Sequence, residues 1–176
     1  MPSANKHVTL AGRYVLALNR LVGPEYCWPA SVTAYYAGML LFEAMYADGI
    51  VGGSEVHFNS HRLRIASAIR NRHIFGETTA AALKGLYSFS YMARYIAMDN
   101  TKIDENYKTD DMPKISGEIP LECTLPNSKE SLVEIFNRLT IIFEVAKRNL
   151  KKQNYFKNFP SLTPVSPDSP DAPIVS

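Results

Sequence analysis

Positively charged side chains concentrate in one acid-free stretch of the chain. Between Val56 and Gly76 there are four arginines and three histidines, but no aspartate or glutamate. Guanidinium and imidazolium groups bind phosphate oxygens, and a helix that begins near Ser60 adds the partial positive charge of its first turn. The sequence therefore predicts a site for RNA or another anion here. Its candidate ligands are His61, Arg62, Arg64, Arg70 and His73.

A helix over this stretch divides these residues between two faces. At about 100° per residue, one stripe holds Arg62, Ala66, Ile69 and His73, and the opposite face holds Ser60, Arg64, Ser67 and Asn71. We expect Arg64 to face solvent and Arg62 and His73 to end a buried stripe. Two interpretations stay open. In the first, the buried cations Arg62 and His73 pair with a carboxylate such as Glu43 or with backbone carbonyls. In the second, His61, Arg62 and Arg64 at the start of the helix bind a phosphate.

The spacing of the two stripe cations limits what they can do together. Arg62 and His73 are eleven residues apart, which is roughly 16 Å along a helix. They cannot act on one bond unless a second chain or a fold-back brings them together.

A second basic run follows Glu144 at the end of the last predicted helix. It consists of Lys147, Arg148, Lys151, Lys152 and Lys157. Cations near a helix C-terminus complement the helix dipole and keep the helix soluble, which is the simpler explanation of this run. Three aromatic residues interleave with it, namely Tyr155, Phe156 and Phe159, and these either dock on the body of the protein or stack on bases. We expect docking.

The common enzyme motifs are absent from the sequence. There is no phosphate-binding glycine loop, no glycine-flanked serine nucleophile and no cysteine with an evident histidine partner. Cys27 and Cys123 form no CxxC pair, and the four histidines are scattered. We therefore expect reduced thiols, no metal and no cofactor.

Composition indicates an ordinary globular protein. The chain has 176 residues, of which 46% are hydrophobic and 20% charged, and a formal net charge of +2. This charge is too small to indicate a nucleic-acid partner by itself. No secretory signal and no apolar stretch of membrane-spanning length is visible, so we expect no membrane association and a cytoplasmic, prokaryotic location.

The apolar periodicity predicts an all-α fold, namely an antiparallel bundle of about five helices. The predicted helices cover 4–22, 29–46, 61–73, about 78–97, and a last helix that follows a cap at Asn127 or Ser128. The second helix is apolar on most sides and should be the buried centre. The last helix has the clearest stripe, formed by Leu132, Ile135, Phe136, Leu139, Ile142, Phe143, Ala146 and Leu150.

Two segments show no sustained periodicity. Residues 99–126 are polar and proline-containing, which predicts a long loop that is either functional or mobile. From Pro160 onward five prolines occur among Ser, Thr and Asp, which predicts an extended or disordered tail. The expected organisation is one helical domain over 1–158 and a tail over 159–176.

Three stretches, in order along the chain, resemble proteins of the HEPN superfamily. They read W-P-A-S-V-T-A-Y-Y-A-G-M-L-L-F-E-A from Trp28 to Ala44, S-H-R-L-R from Ser60 to Arg64, and L-Y-S-F-S-Y-M-A-R-Y from Leu86 to Tyr95. The family pattern is similar: an aromatic-rich helix with A-Y-Y-A, a histidine at the start of the next helix, and a helix that ends in arginine and tyrosine.

The resemblance implies a helical bundle that dimerises and serves in toxin–antitoxin, CRISPR-associated or anti-phage systems, often as a metal-independent ribonuclease. Catalytic members carry an arginine followed by a histidine after four to six intervening residues, and no arginine of the basic stretch has a histidine at that spacing. We therefore expect a non-catalytic or atypical HEPN-like protein that binds RNA, a nucleotide or a protein partner, in a homodimer or a hetero-assembly. Two alternatives stay open: a ribonuclease whose residues assemble across a dimer interface, and a structural subunit of a larger complex.

Overall fold

The computed structural model describes residues 3–21, 23, 26–51, 60–96 and 129–162, and the regular elements in these ranges are all helical. They are α1 (Ala4–Leu18), α2 (Cys27–Ala47), α3 (His61–Arg70), α4 (Arg72–Phe75), α5 (Glu77–Tyr91) and α6 (Lys129–Asn149). One π-helical turn, Met92–Ile96, continues α5, and a short 3₁₀ helix, Gln153–Phe156, follows α6. The predicted all-α bundle is thus confirmed, with the third predicted helix divided at Asn71.

Helix α2 forms the centre of the bundle, as its apolar composition predicts. It packs against α1, α5 and α6, and most of its residues are buried. A Cβ added at Gly38 would lie 3.0 Å from Cδ1 of Ile142 and 3.3 Å from Cδ1 of Leu86. The missing side chain therefore allows α5 and α6 to approach α2 closely.

The outer helices present the predicted stripes to this centre. The apolar spacing predicts a stripe of Val8, Ala11, Val15, Leu18 and Val22 on α1, of which the first four are buried and Val22 lies outside the described residues. It predicts Leu83, Leu86, Tyr87, Ser90 and Ala93 for α5 and its π turn, and all five are buried. On α6 every residue of the predicted stripe is buried except Phe143, which is partly exposed. The Phe143 ring packs on Phe156 and Phe159, with centroid distances of 5.4 and 4.9 Å.

The segment after α6 docks on the body of the protein. Phe159 and Pro160 lie against Gly12 of α1, where an added Cβ would come within 3.3 Å of Pro160 Cδ. Asn19 at the end of α1 donates a hydrogen bond to the carbonyl oxygen of Ser161, at 2.7 Å. Docking of Phe156 and Phe159 is therefore confirmed, and the first residues of the predicted tail, 159–162, pack on α1.

Several predictions fall outside the described residues. These are the loop over 99–126, the cap at Asn127 or Ser128, the thiol of Cys123 and the tail beyond residue 162. None of the helices within the described ranges is both long and apolar enough to cross a membrane.

The buried stripe of α6 can be tested with a matched pair of substitutions. Leu139 is fully buried, whereas Val133 on the same helix is half exposed. Leu139→Asp places an unpaired charge in the core, which costs several kcal/mol against a total stability of about 5–15 kcal/mol. We expect it to abolish soluble expression or lower the melting temperature strongly, while Val133→Asp keeps both near wild type. Equal effects of the two variants would contradict this packing.

Candidate functional site

Polar side chains join α2 to α3. The pairs are Tyr35 with His61, Glu43 with Arg64, and Tyr46 with Asn71, at 2.8, 2.5 and 2.8 Å. The residue numbers of the partners increase together along both helices, so α3 runs in the same general direction as α2, which differs from the expected antiparallel arrangement, while its backbone packs on α5. This arrangement decides which face of α3 turns inward.

The inward face of α3 differs from the predicted one. Arg64 is only 17% exposed in its side chain and pairs with Glu43, whereas Arg62 and His73 are exposed. The prediction that Arg62 and His73 end a buried stripe, with Arg64 in solvent, was wrong. The physical reason is that the face that carries Arg64 also carries the fully buried Ile65 and Ala68, and it supplies partners for the buried polar groups of α2.

Glu43 connects three helices at the back of the site. It is 8% exposed, and its Oε1 accepts from Nε of Arg64. Its Oε2 lies 3.5 Å from Nδ1 of His7 on α1. A buried carboxylate without such partners is strongly destabilising, so this contact fixes α3 against the α1–α2 pair.

His61, the first residue of α3, lies among three tyrosine rings. Its ring centroid is 5.2 Å from that of Tyr35, 5.8 Å from Tyr36 and 6.3 Å from Tyr87. Burial lowers the pKa of His61 from its usual 6.5, and the charges of Arg94 and Arg64 lower it further. The imidazole is therefore neutral at neutral pH.

The Tyr35 hydroxyl determines the tautomer of this imidazole. Tyr35 is fully buried, and burial raises the pKa of its hydroxyl, which therefore keeps its proton. Among the described residues the only acceptor that this O–H contacts is Nδ1 of His61. We therefore assign Tyr35 as the donor to Nδ1, which places the ring proton of the neutral imidazole on Nε2.

Nε2 of His61 is consequently a hydrogen-bond donor. Within the part of the chain that the structure describes, no residue accepts a hydrogen bond from this nitrogen, and the side chain is only half buried. A donor in this state can bind an acceptor oxygen of a ligand.

Two of the tyrosines around His61, Tyr36 and Tyr87, belong to a longer row of rings, here called the aromatic row. It consists, in spatial order, of Tyr14, Tyr36, His61, Tyr87 and Tyr91. Neighbouring ring centroids lie 5.7–6.3 Å apart, and the first two rings are nearly parallel, with an interplanar angle of 18°. All of these rings except that of Tyr87 are partly exposed. Partly exposed aromatic rings are surfaces on which nucleobases stack.

The π turn after α5 brings a further arginine to the row. Arg94 is half buried, its Nε donates to the carbonyl oxygen of Ser90 at 3.2 Å, and its charge acts on both His61 and Tyr35. The Ser90 hydroxyl nearby is fully buried, and no residue of the described ranges forms a hydrogen bond with it. Single π turns inside helices occur frequently at functional sites.

The five predicted ligands are divided between two surfaces. His61 and Arg64 lie at the aromatic row, whereas Arg62, Arg70 and His73 lie on the exposed outer face of α3 and α4. The sequence pattern had given no site role to Arg94 or to the tyrosines. Their signal was the spacing of Tyr87, Tyr91 and Arg94, which places all three on one side of a helix.

Comparison with known proteins gives no relative: the chain matches no protein-family model, no curated protein and no solved structure. Among the described residues, no group of three or more His, Cys, Asp or Glu side chains is placed to hold a metal ion. The geometry of the aromatic row and the resemblance of three sequence stretches are therefore the basis for a functional proposal.

The inward face of α3 can be tested by comparing two arginines. Arg64→Ala leaves the buried Glu43 carboxylate without its closest cation, and we expect a loss of about 3 kcal/mol in the free energy of unfolding. Arg62→Ala changes an exposed side chain and should alter stability by less than about 0.5 kcal/mol. Urea unfolding of both variants measures the difference. A larger loss of unfolding free energy in Arg62→Ala than in Arg64→Ala would instead support the inward face that was predicted from periodicity.

Proposed function

We propose that this protein binds single-stranded RNA or a nucleotide at the aromatic row, as a non-catalytic or atypical HEPN-like subunit of a prokaryotic defence system. The observation that carries the proposal is the position of His61, whose Nδ1 is bonded to the Tyr35 hydroxyl and whose ring lies among tyrosine rings, where the charges of Arg94 and Arg64 act on it. The CRISPR-associated, toxin–antitoxin or anti-phage setting comes from the sequence resemblance alone.

The phosphate and the base of a nucleotide would bind to different residues. His61 Nε2–H and the guanidinium of Arg94 are donors for phosphate oxygens. Arg64, whose Nε is held by Glu43, contributes mainly its positive charge. Tyr36 and Tyr14 provide partly exposed rings for bases, and stacking on such a ring contributes about 1–3 kcal/mol per base.

The tautomer of His61 favours binding over catalysis. A histidine that removes a proton from a ribose hydroxyl needs an unprotonated nitrogen, whereas the hydrogen bond from Tyr35 leaves the proton on Nε2. A donor at this position suits a phosphate oxygen that is bound without reaction.

A metal-independent ribonuclease is the second candidate. It is favoured by one observation, the neutral histidine close to two arginines within a single chain. Turnover of RNA without added metal, lost in His61→Ala, would establish this candidate and exclude the non-catalytic proposal.

We test binding with a fluorescently labelled single-stranded oligoribonucleotide and fluorescence anisotropy. Tyr36→Ala should weaken binding about 5- to 100-fold, which corresponds to the loss of one stacked base. Tyr155→Ala is the matched control, because Tyr155 is also a half-buried tyrosine but lies outside the row. Equal affinity of Tyr36→Ala and wild type would contradict base stacking on the row.

The pH dependence of the same binding tests the role of His61. A bound phosphate adds negative charge beside the imidazole and raises its pKa, so binding takes up protons. Affinity should therefore rise several-fold as the pH falls from about 8 to about 6. In His61→Gln this rise should disappear, and Arg94→Gln should flatten the salt dependence of binding by about one counterion. A rise that persists in His61→Gln would assign the proton uptake to another group.

We also propose that the protein assembles as a homodimer or with a partner protein, as the resemblance implies. Light scattering at micromolar concentration should give a mass above that of one chain, or a partner should co-purify. A monomer without a partner would contradict the assembly but not the binding of RNA.

A further inference from the structure

The outer face of α3 and α4 combines exposed apolar residues with a cluster of exposed cationic side chains. Leu63 is 51% exposed and Ile74 is 36% exposed, so both aliphatic side chains are accessible to a partner. The exposed residues around them are Arg62, Arg70, Arg72 and His73. Neither α3 nor α4 contains an acidic residue. We call this set of residues the outer face.

Its apolar and basic residues alternate along one stripe. Leu63, Arg70 and Ile74 are spaced by seven and four residues, and α3 and α4 are separated only by Asn71. These spacings place the three side chains on the same side of the helix pair. The stripe from Leu63 to Ile74 extends over about 16 Å, or three helical turns.

The positive charges on this face are available to a partner. Arg62 and Arg70 form no ion pair with any other residue that the structure describes. Arg72 lies 3.6 Å from Glu77, but both side chains are more than half exposed, and such pairs contribute little.

We propose that the outer face docks an acidic amphipathic helix of a partner protein. Apolar residues of that helix would pack on Leu63 and Ile74, and its carboxylates would pair with Arg62, Arg70 and His73. Such a helix presents apolar anchors at successive turns, which matches the spacing of the stripe.

Charge and chemistry favour this occupant over two others. A second copy of the chain, docked through the same face, would bring arginines against arginines, which is unfavourable. RNA would pair with the arginines but would gain nothing from Leu63 and Ile74. The proposal does not depend on the aromatic row, because Leu63 points about 200° around the helix from His61.

A selection experiment shows which kind of helix the outer face prefers. The probe is a phage-displayed library of helical peptides with randomised surface positions, selected against the full-length protein. We expect the enriched peptides to be acidic and to carry apolar residues at i, i+3 or i+4, and i+7. Absence of enrichment, or enrichment of neutral or basic peptides, overturns the proposal.

Substitutions on two faces locate the binding surface. Leu63→Asp and Arg70→Glu should each weaken binding of the most enriched peptide at least tenfold. Leu16→Asp is the control, because Leu16 is 54% exposed on α1 and lies outside the outer face. All three side chains are exposed, so melting temperatures should stay near wild type. Equal peptide affinity of wild type and Leu63→Asp overturns the proposal, and so does loss of oligoribonucleotide binding in Leu63→Asp, which would assign this face to RNA.

Discussion

Burial of α2 is the constraint on which the rest of the structure depends. A helix that is covered on most sides must find an internal partner for each polar group it carries, because an unsatisfied buried group costs several times what a satisfied one contributes. Tyr35, Glu43 and Tyr46 are such groups, and α3 supplies their partners. This requirement sets the direction of α3 and determines which of its residues face inward.

The functional surfaces follow from that placement. Because Glu43 holds Arg64 and Tyr35 holds His61, the start of α3 lies beside the tyrosines of α2 and α5, close to Arg94. The same orientation of α3 leaves the cations of the outer face exposed to solvent, next to the exposed side chains of Leu63 and Ile74. One basic stretch of sequence thus contributes to two surfaces: the aromatic row, where we propose that a nucleotide binds, and the outer face, where we propose that an acidic helix docks.

Strong periodicity explains what could be predicted from the sequence. α1, α2, α5 and α6 were placed within a few residues, and the described residues of the stripes predicted for α1, α5 and α6 are buried except Phe143, because repeated apolar residues mark one face of such a helix. On α3 the apolar signal is short: Ile65 and Ala68 are buried and Ile69 is partly buried, but Leu63 is exposed. The rest of the inward face is polar, and its partners lie more than twenty residues away on α2. The spacing of Tyr87, Tyr91 and Arg94 indicates that they share one side of a helix, but the π turn that positions Arg94 carries no local signal, so the placement of Arg94 at the site could not be predicted.

The central claim is that Tyr35 donates to Nδ1 of His61 and thereby makes Nε2 a donor. Nitrogen-15 NMR of labelled histidine side chains tests it directly, because protonated and unprotonated ring nitrogens differ widely in chemical shift. At neutral pH we expect His61 to show a protonated Nε2 and an unprotonated Nδ1, and Tyr35→Phe should shift it toward a mixture of tautomers. A protonated Nδ1 in the wild-type protein would contradict the account, because Nε2 would then be an acceptor and the site would suit a general base.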